Sequence, residues 1–373
     1  MRLGVFFKVA VFGLALASFV ASPQAKENSM NNLSESSLAK NCIFNGRWDH
    51  QNLFSRTSAP AAVIQFNAVA KSIDFDLEGE SRWILVEDSR EVAAFVSGAR
   101  KVQSVKVAGD GESHRYRLVK ISETNPGSVK VYGISLDGSG SFGSVPKQSG
   151  RRIEFIGDSF TVGFGDEGSG SDDPSMVFEK TNASKSYAYL LADGFKADFQ
   201  VNAFSGRGMV RNYDNIVPEW KVPRLYEFTV PGEAPADLAG KLPEESLKWD
   251  FGSFHPQVVV IFIGINDFQG NPPYGDKKEF SKAYAELLQK LRKAHEGVKF
   301  LLVSTKIWPN DDLTPTVKAI YQSELAAGHK DLEFVEVRTD NAGLLGHPDV
   351  HSQADLARTL RPFVAKLGGW LSR

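Results

Sequence analysis

The chain has 373 residues, of which 42% are hydrophobic and 24% charged, so it is long enough for about two globular domains and is unlike collagen, coiled coils and wholly disordered chains. Its 43 basic and 45 acidic residues give a formal net charge of −2, and no block of like charges indicates a broad basic face for nucleic acid. A single cysteine, Cys42, excludes an internal disulfide, and we expect a buried, unreactive thiol.

Residues 1–25 are typical of a secretory signal peptide. Arg2 and Lys8 precede a short apolar run at 9–21, and small residues follow it. This run is shorter than the span of about 20 residues that crosses a membrane, so stable membrane insertion is not expected, although an uncleaved anchor is the alternative. We predict export to the periplasm or the medium, with a polar, disordered segment at 26–41.

Residues 42–145 are predicted to form an all-β domain, a jelly roll or sandwich. Short runs with period-two alternation are separated by turn residues, with about 8 to 12 residues from one run to the next. Examples of these runs lie at 62–66, 72–77, 82–86, 102–107, 114–121 and 128–136. The Gly- and Ser-rich stretch at 139–150 is expected to link this domain to the next.

From residue 151 to 373, buried strands are predicted to alternate with helices. The runs at 258–263 and 299–304 are almost continuously apolar, as parallel strands covered on both faces are. An apolar stripe with helical period lies between them, at Phe280, Tyr284, Leu287, Leu288 and Leu291. Further helices are predicted at 185–194, 316–327 and 353–371, and a strand at 332–337. This pattern predicts a doubly wound α/β domain with its site at the carboxyl ends of the strands.

Three predicted strands end in residues suited to ester chemistry. Ser159 follows the first strand at the start of a helix, where free N–H groups favour oxyanion chemistry. Gly206 follows the second strand and lets a backbone N–H approach a substrate closely, with Gly208 as the alternative. Asn266 follows the third strand and can donate its amide, while Asp267 can cap the residues after it. Each pattern is also typical of an ordinary turn or helix cap.

His347, just before the last predicted helix, is the candidate base, and His351 is the alternative. The other histidines lie in the β domain, before a strand, or at helix ends where we expect solvation: His50, His114, His255, His295 and His329. No metal site is predicted, because no second group with ligand spacing accompanies the segment from His347 to His351.

In this order, Ser159, Gly206, Asn266 and His347 resemble the motif residues of the SGNH, or GDSL-like, hydrolase superfamily. The resemblance implies a three-layer, flavodoxin-like α/β fold, with Ser159 as nucleophile, His347 as base, and the Ser159 and Gly206 N–H groups and the Asn266 amide as the oxyanion hole. It extends to carbohydrate esterase family 2, whose members join an N-terminal jelly roll to this domain and deacetylate plant polysaccharides. The matching segments are 157–165, 205–208 with 211–213, and 114–120 with Glu123 and Gly133.

One position departs from the superfamily pattern. An aspartate usually precedes the histidine by three residues, and here that residue is Leu344. Family 2 includes Ser–His dyads in which a backbone carbonyl orients the imidazole, and this chain resembles that type. Asp340 and Asp349 lack the family spacing and are not assigned as catalytic. Loss of the acid is also compatible with loss of activity, which leaves a catalytically silent glycan-binding protein as an alternative.

The leading expectation is an exported carboxylic ester hydrolase of the acetylxylan esterase type, acting on acetylated xylan or glucomannan through an acetyl-enzyme without cofactor or metal. An SGNH lipase or thioesterase is the nearest alternative, and a metal-dependent deacetylase is a third. Trp308 and Tyr274 are the candidate substrate-binding residues, because an aromatic ring in a strand-exit loop can stack on a sugar. Glycan binding by the β domain and the oligomeric state stay open.

Overall fold

The computed structural model describes residues 32–124, 127–231 and 248–370. The predicted signal peptide and residues 26–31 lie outside the described residues. The prediction of disorder was wrong for residues 32–41, which form strand β1 (Asn32–Ser34) and helix α1 (Glu35–Asn41). Burial of Leu33 and Leu38 in the core of the following domain orders this otherwise polar segment.

The first domain is a sandwich of two six-stranded antiparallel sheets. Its further strands are β2 (Ile43–Asn45), β3 (Asp49–His50), β4 (Ser55–Thr57), β5 (Val63–Val69), β6 (Ser72–Glu78), β7 (Ser81–Glu87), β8 (Arg90–Ser97), β9 (Lys101–Lys106), β10 (His114–Lys120), β11 (Val129–Leu136) and β12 (Ser141–Phe142). The outer sheet has the order β3-β4-β11-β6-β9, with β1 beside β11. The inner sheet has the order β12-β5-β10-β7-β8, with β2 beside β5. The stretch predicted as a linker therefore begins with a strand of the inner sheet.

The second domain is built on a five-stranded parallel sheet. Its strands are β13 (Arg152–Gly157), β14 (Asp198–Ala203), β15 (Val258–Phe262), β16 (Lys299–Thr305) and β17 (Leu332–Val337). The spatial order β14-β13-β15-β16-β17 is the flavodoxin-like order of doubly wound folds. Strand β15 is buried at every position, which explains its continuous apolar sequence. The predicted fold class, an antiparallel β domain before an α/β domain, is confirmed.

Helices connect the parallel strands and cover the sheet. They are α2 (Ser159–Val162), α3 (Val177–Lys180), α4 (Tyr187–Phe195), α5 (Val222–Leu225), α6 (Ile265–Phe268), α7 (Lys277–Ala294), α8 (Leu313–Ala326) and α9 (Val350–Gly368). The predicted apolar stripe is the buried face of α7, and Asp276 caps its first turn. In the part of the chain that the structure describes, no helix is both long enough and apolar enough to cross a membrane.

Two predictions for side chains outside the strand-exit loops, Cys42 and His295, can be compared with the structure. Cys42 is buried as predicted, and burial raises the pKa of its thiol to about 12. His295 was predicted at a solvated helix end, and this was wrong because its ring is buried beside Phe251 and His255. Burial lowers the pKa of His295 to about 4, with a further contribution from His255.

Candidate active site

Ser159 and His347, which are far apart in sequence, meet at the carboxyl end of the parallel sheet. Ser159 is the first residue of α2, and the Asp158 carboxylate caps this helix by accepting the Phe160 N–H at 3.1 Å. The Ser159 Oγ lies 2.9 Å from the His347 Nε2. Burial raises the pKa of Asp158 to about 8, so this carboxyl holds its proton more readily than an exposed aspartate does.

A main-chain carbonyl orients the His347 ring. Its Nδ1 lies 3.1 Å from the Leu344 carbonyl oxygen. Because a carbonyl only accepts hydrogen bonds, Nδ1 carries the proton and Nε2 is free to accept from the serine hydroxyl. The Leu344 side chain is fully buried, and Leu345 has a φ of 54° in the tight turn before the histidine. The structure therefore places a main-chain carbonyl, and no acid, at Nδ1 of His347, while the catalytic roles of Ser159 and His347 stay predictions.

The surroundings of the imidazole favour its neutral form. The ring centroid of His347 lies 4.5 Å from that of Phe164 and 5.5 Å from that of Phe160. Burial lowers the pKa of His347 to about 4, although hydrogen bonds to the Leu344 and Leu345 backbone oppose this shift. A neutral imidazole at physiological pH is the form that can take a proton.

The other candidates around His347 have different partners. Asp349 caps α9 by accepting the Ser352 N–H at 2.8 Å, and Asp340 accepts a hydrogen bond from the Ser352 hydroxyl. His351 is exposed on the first turn of α9. These contacts agree with the choice of His347 over His351 and with leaving both aspartates unassigned.

Gly206 occupies a β-turn after β14. The turn spans residues 204–207 and is closed by the Arg207 N–H, which donates to the Phe204 carbonyl at 3.1 Å. Gly206 is its third residue with a φ of +74°, the left-handed conformation that type II turns require. A Cβ built on Gly206 would meet no atom within 4 Å, so open space adjoins its backbone. Among the described residues, neither the Gly206 N–H nor the Ser159 N–H has a hydrogen-bond partner.

Gly208, the alternative donor, is required for packing instead. A Cβ at Gly208 would lie 2.1 Å from the Arg211 carbonyl oxygen and 2.4 Å from the Asp267 carboxylate. Its N–H donates to the Asn212 side chain at 3.2 Å. The structure therefore leaves Gly206 as the glycine whose N–H is available to a ligand.

Asn266 and its neighbour hold the loop that contains Gly206. The Asn266 Nδ2 donates to the Arg207 carbonyl at 2.8 Å, which leaves its second amide hydrogen for another acceptor. The Asp267 carboxylate accepts the N–H groups of Met209, Val210 and Arg211 at 2.9, 2.7 and 2.9 Å. Burial raises the pKa of Asp267 to about 6, although these three bonds oppose the shift. The sequence pattern predicts a local cap at Asp267 and gives no signal of this contact with a distant loop.

The two candidate aromatic residues differ in their freedom to contact a ligand. Trp308 follows β16 at the same edge of the sheet and is 77% exposed. Tyr274 is half-buried, donates its hydroxyl to the Gly270 carbonyl at 3.2 Å, and packs against the Arg211 guanidinium. The described contacts of Trp308 and Tyr274 do not include Ser159 or His347, so their assignment to substrate binding stays a prediction.

A residue of the β domain also reaches this loop. Glu123, just after β10, accepts the Ser205 N–H at 2.9 Å. In the sequence, Glu123 belongs only to the segments that carry the family resemblance and has no predicted role.

No group of three or more metal-ligating side chains occurs in residues 32–124, 127–231 and 248–370.

Residues 155–355 match the model of the GDSL-like lipase/acylhydrolase family. The chain belongs to this family. Among its relatives is the cellulase/esterase CelE of Acetivibrio thermocellus, 28% identical over 88% of this chain and 40% of that protein, so the chain spans well under half of CelE. An acetylxylan esterase / glucomannan deacetylase of Cellvibrio japonicus is 29% identical over 81% of this chain and 83% of that protein.

Solved structures support the same family assignment. A family two carbohydrate esterase from Clostridium thermocellum, in complex with cellohexaose, has a TM-score of 0.79 and 25% identity over 88% of this GDSL-like chain and 100% of that one. A family two carbohydrate esterase from Cellvibrio japonicus shares the fold, with a TM-score of 0.77 and 20% identity over 92% of this chain and 100% of that one. The predicted resemblance to carbohydrate esterase family 2 is confirmed.

Proposed function

We propose that this chain is an exported serine esterase that removes acetyl groups from acetylated polysaccharides such as xylan and glucomannan. The observation that carries the proposal is the pair of bonds on His347, with Nε2 at 2.9 Å from the Ser159 Oγ and Nδ1 at 3.1 Å from the Leu344 carbonyl. Nucleophile, base and orienting group are thus in hydrogen-bond contact. Relatives named as acetylxylan esterase and glucomannan deacetylase support the substrate class.

Acylation begins with proton transfer from Ser159 Oγ to His347 Nε2 as Oγ attacks the acetyl carbonyl carbon. The negative charge on the carbonyl oxygen is stabilised by the N–H groups of Ser159 and Gly206 and by the free amide hydrogen of Asn266. His347 then gives its proton to the sugar oxygen, the bond from carbon to that oxygen breaks, and an acetyl group remains on Ser159.

Deacylation repeats these steps with water. His347 Nε2 takes a proton from water as the water oxygen attacks the acetyl carbon, and the same three donors stabilise the charge. The proton returns to Ser159 Oγ when the acyl bond breaks and acetate leaves. The Leu344 carbonyl holds the imidazole in one tautomer throughout, the role of the aspartate in a triad.

Substrate binding is assigned to the strand-exit loops. Trp308 offers an exposed ring that can stack on a sugar, and a structural neighbour in complex with cellohexaose supports a glycan as the ligand class. Tyr274 is a weaker candidate because its hydroxyl and ring already have protein partners. Export, to the periplasm or the medium, rests on the signal peptide predicted at residues 1–25.

The test is acetate release from acetylated xylan and acetylated glucomannan, with and without a chelator. We expect the protein to release acetate in both conditions and Ser159→Ala to lower kcat by about 10⁴-fold or more. Ser281→Ala, on the surface of α7, is the matched control and should leave the rate unchanged. Loss of activity with the chelator would indicate a metal-dependent deacetylase instead.

Other outcomes would redirect the assignment to the alternatives. Retention of glycan without acetate release by the unmodified protein would indicate a catalytically silent glycan-binding protein. Faster hydrolysis of long-chain acyl esters or thioesters than of acetylated glycan would indicate a lipase or thioesterase with the same dyad.

A further inference from the structure

The turn that contains Gly206 is held from both domains. Within the α/β domain, the Phe204 N–H donates to the Gly157 carbonyl at 3.2 Å and the Asn266 side chain binds the Arg207 carbonyl at 2.8 Å. From the β domain, Glu123 accepts the Ser205 N–H at 2.9 Å. These three contacts fix the residues on either side of Gly206, and only the last one comes from another domain.

Glu123 lies where burial disfavours an ionised carboxyl group. It is partly buried at the contact between the domains, and burial raises its pKa, although the bonds from Ser205 and the charges of Lys120 and Arg207 oppose the shift. The Lys120 amine is fully buried and donates to the Ser122 carbonyl at 2.6 Å. Burial lowers its pKa to about 7. Two ionisable groups of one β-domain segment are thus desolvated, and Glu123 is the one that contacts the turn.

We propose that Glu123 is a positioning residue that orients the Gly206 N–H toward the reacting oxygen, so that the β domain supports the oxyanion hole without contributing a donor to it. The inference rests on the proposed esterase function. The Ser205 N–H belongs to the peptide immediately before the one that carries the Gly206 N–H. Glu123 therefore holds the peptide between residues 204 and 205, and this limits the orientation of the next peptide, which carries the Gly206 N–H. Misplacement of a reacting group by about 1 Å can lower a rate by about 100-fold.

Three variants separate this role from stability. Glu123→Ala removes the acceptor, while Glu123→Gln keeps an oxygen that can accept the Ser205 N–H. Asp137→Ala is the matched control, because Asp137 also accepts backbone N–H groups, those of Lys71 and Ser72, but within the β domain. We expect Glu123→Ala to lower kcat by about 10- to 100-fold with KM changed by less than about threefold. Glu123→Gln should stay within about threefold of the unmodified protein, and Asp137→Ala should change only the unfolding midpoint.

Amide hydrogen exchange of Ser205 gives a readout that does not depend on turnover. In Glu123→Ala this amide should exchange about tenfold faster, as expected for the loss of one hydrogen bond, while Glu123→Gln should resemble the unmodified protein. The amide of Met209, which is held by Asp267, is the internal control and should not change.

The outcomes distinguish this inference from the proposed function. An active parent with an unchanged kcat in Glu123→Ala overturns the inference and leaves the esterase assignment intact. Equal losses of kcat in Glu123→Ala and Asp137→Ala also overturn it, because the effect would then follow stability. A parent that releases no acetate overturns the proposed function and with it the positioning role of Glu123, and the Ser205 exchange rate then decides whether the contact itself exists.

Discussion

The two sheets of the sandwich are built from similar strands but are buried differently. In the outer sheet, β6 alternates strictly, with Ile73, Phe75 and Leu77 buried and polar residues between them less so. In the inner sheet, β7 is buried at nearly every position. One face of the inner sheet packs on the outer sheet, whereas the other face contributes Ile84 and Val119 to the core of the α/β domain.

This difference shows that the inner sheet is shared between the two domains. The α/β domain covers the second face of the inner sheet, whereas the second face of the outer sheet meets solvent. Polar contacts accompany it, because Arg47 pairs with Glu154 of β13 and Glu123 binds Ser205 beside Gly206. The sandwich therefore supports the sheet from which the site is built, and changes in the inner sheet should have effects that equivalent changes in the outer sheet lack.

The largest expected effect on stability is that of Arg47→Ala. The Arg47 guanidinium donates to the Tyr226 carbonyl at 2.6 Å and the Phe228 carbonyl at 3.1 Å, and it lies 3.3 Å from the Glu154 carboxylate. Both charged side chains are only 2% exposed. Its removal leaves Glu154 buried without a cation, so we expect the free energy of unfolding to fall by about 3–5 kcal/mol in urea denaturation.

The control for Arg47→Ala is Arg100→Ala, directly before β9 of the outer sheet. Arg100 pairs with Asp76 at 2.9 Å, and both side chains are accessible to solvent. Exposed pairs of this kind contribute little to stability. A loss of stability in Arg100→Ala as large as that in Arg47→Ala would show that the two sheets do not differ in the way described.

A smaller effect is expected from Ile84→Ala in β7. This side chain is buried where the inner sheet meets the α/β domain, so the substitution opens a cavity at the contact and should cost about 3 kcal/mol. Val102→Ala, on the exposed side of β9, should stay within about 0.5 kcal/mol of the unmodified protein.

Calorimetry should show one unfolding transition for both domains, and two separate transitions in the unmodified protein would contradict a shared core.

Much of this fold is predictable because hydrophobic periodicity reports how many faces of an element are buried. The alternation in β6 and the continuous apolar run of β15 each identify their environment. Periodicity does not say what covers a face. The apolar sequence of β7 therefore predicts a strand, but not that its second face packs on another domain.

Some residues of the site could be predicted from the sequence and others could not. Ser159, Gly206, Asn266 and His347 were predicted because parallel strands bring their exits to one edge of the sheet. Glu123 was not assigned a role, because its contact with Ser205 depends on how two domains approach each other. Sequence alone does not identify which main-chain carbonyl binds a histidine, so the bond to His347 had to be inferred from the missing acid and was located only by the fold.

The smallest predicted effect is a shift in pH dependence, and it separates the chemistry of the α/β domain from the support given by the inner sheet. The proposed base, His347, can take a proton only when neutral, and burial lowers its pKa to about 4, so the acidic limb of kcat/KM should lie near pH 4 instead of near 6.5. Phe164→Ala exposes the imidazole, weakens this desolvation and should move the limb up by about one pH unit, so activity at pH 5 falls relative to pH 7.

Ile84→Ala is the control and should leave the acidic limb in place, because the contacts of His347 come from the α/β domain. A limb near 6.5 in the unmodified protein would mean that water reaches the imidazole in solution, and a limb that moves in Ile84→Ala would mean that the inner sheet affects His347 as well as the turn that contains Gly206.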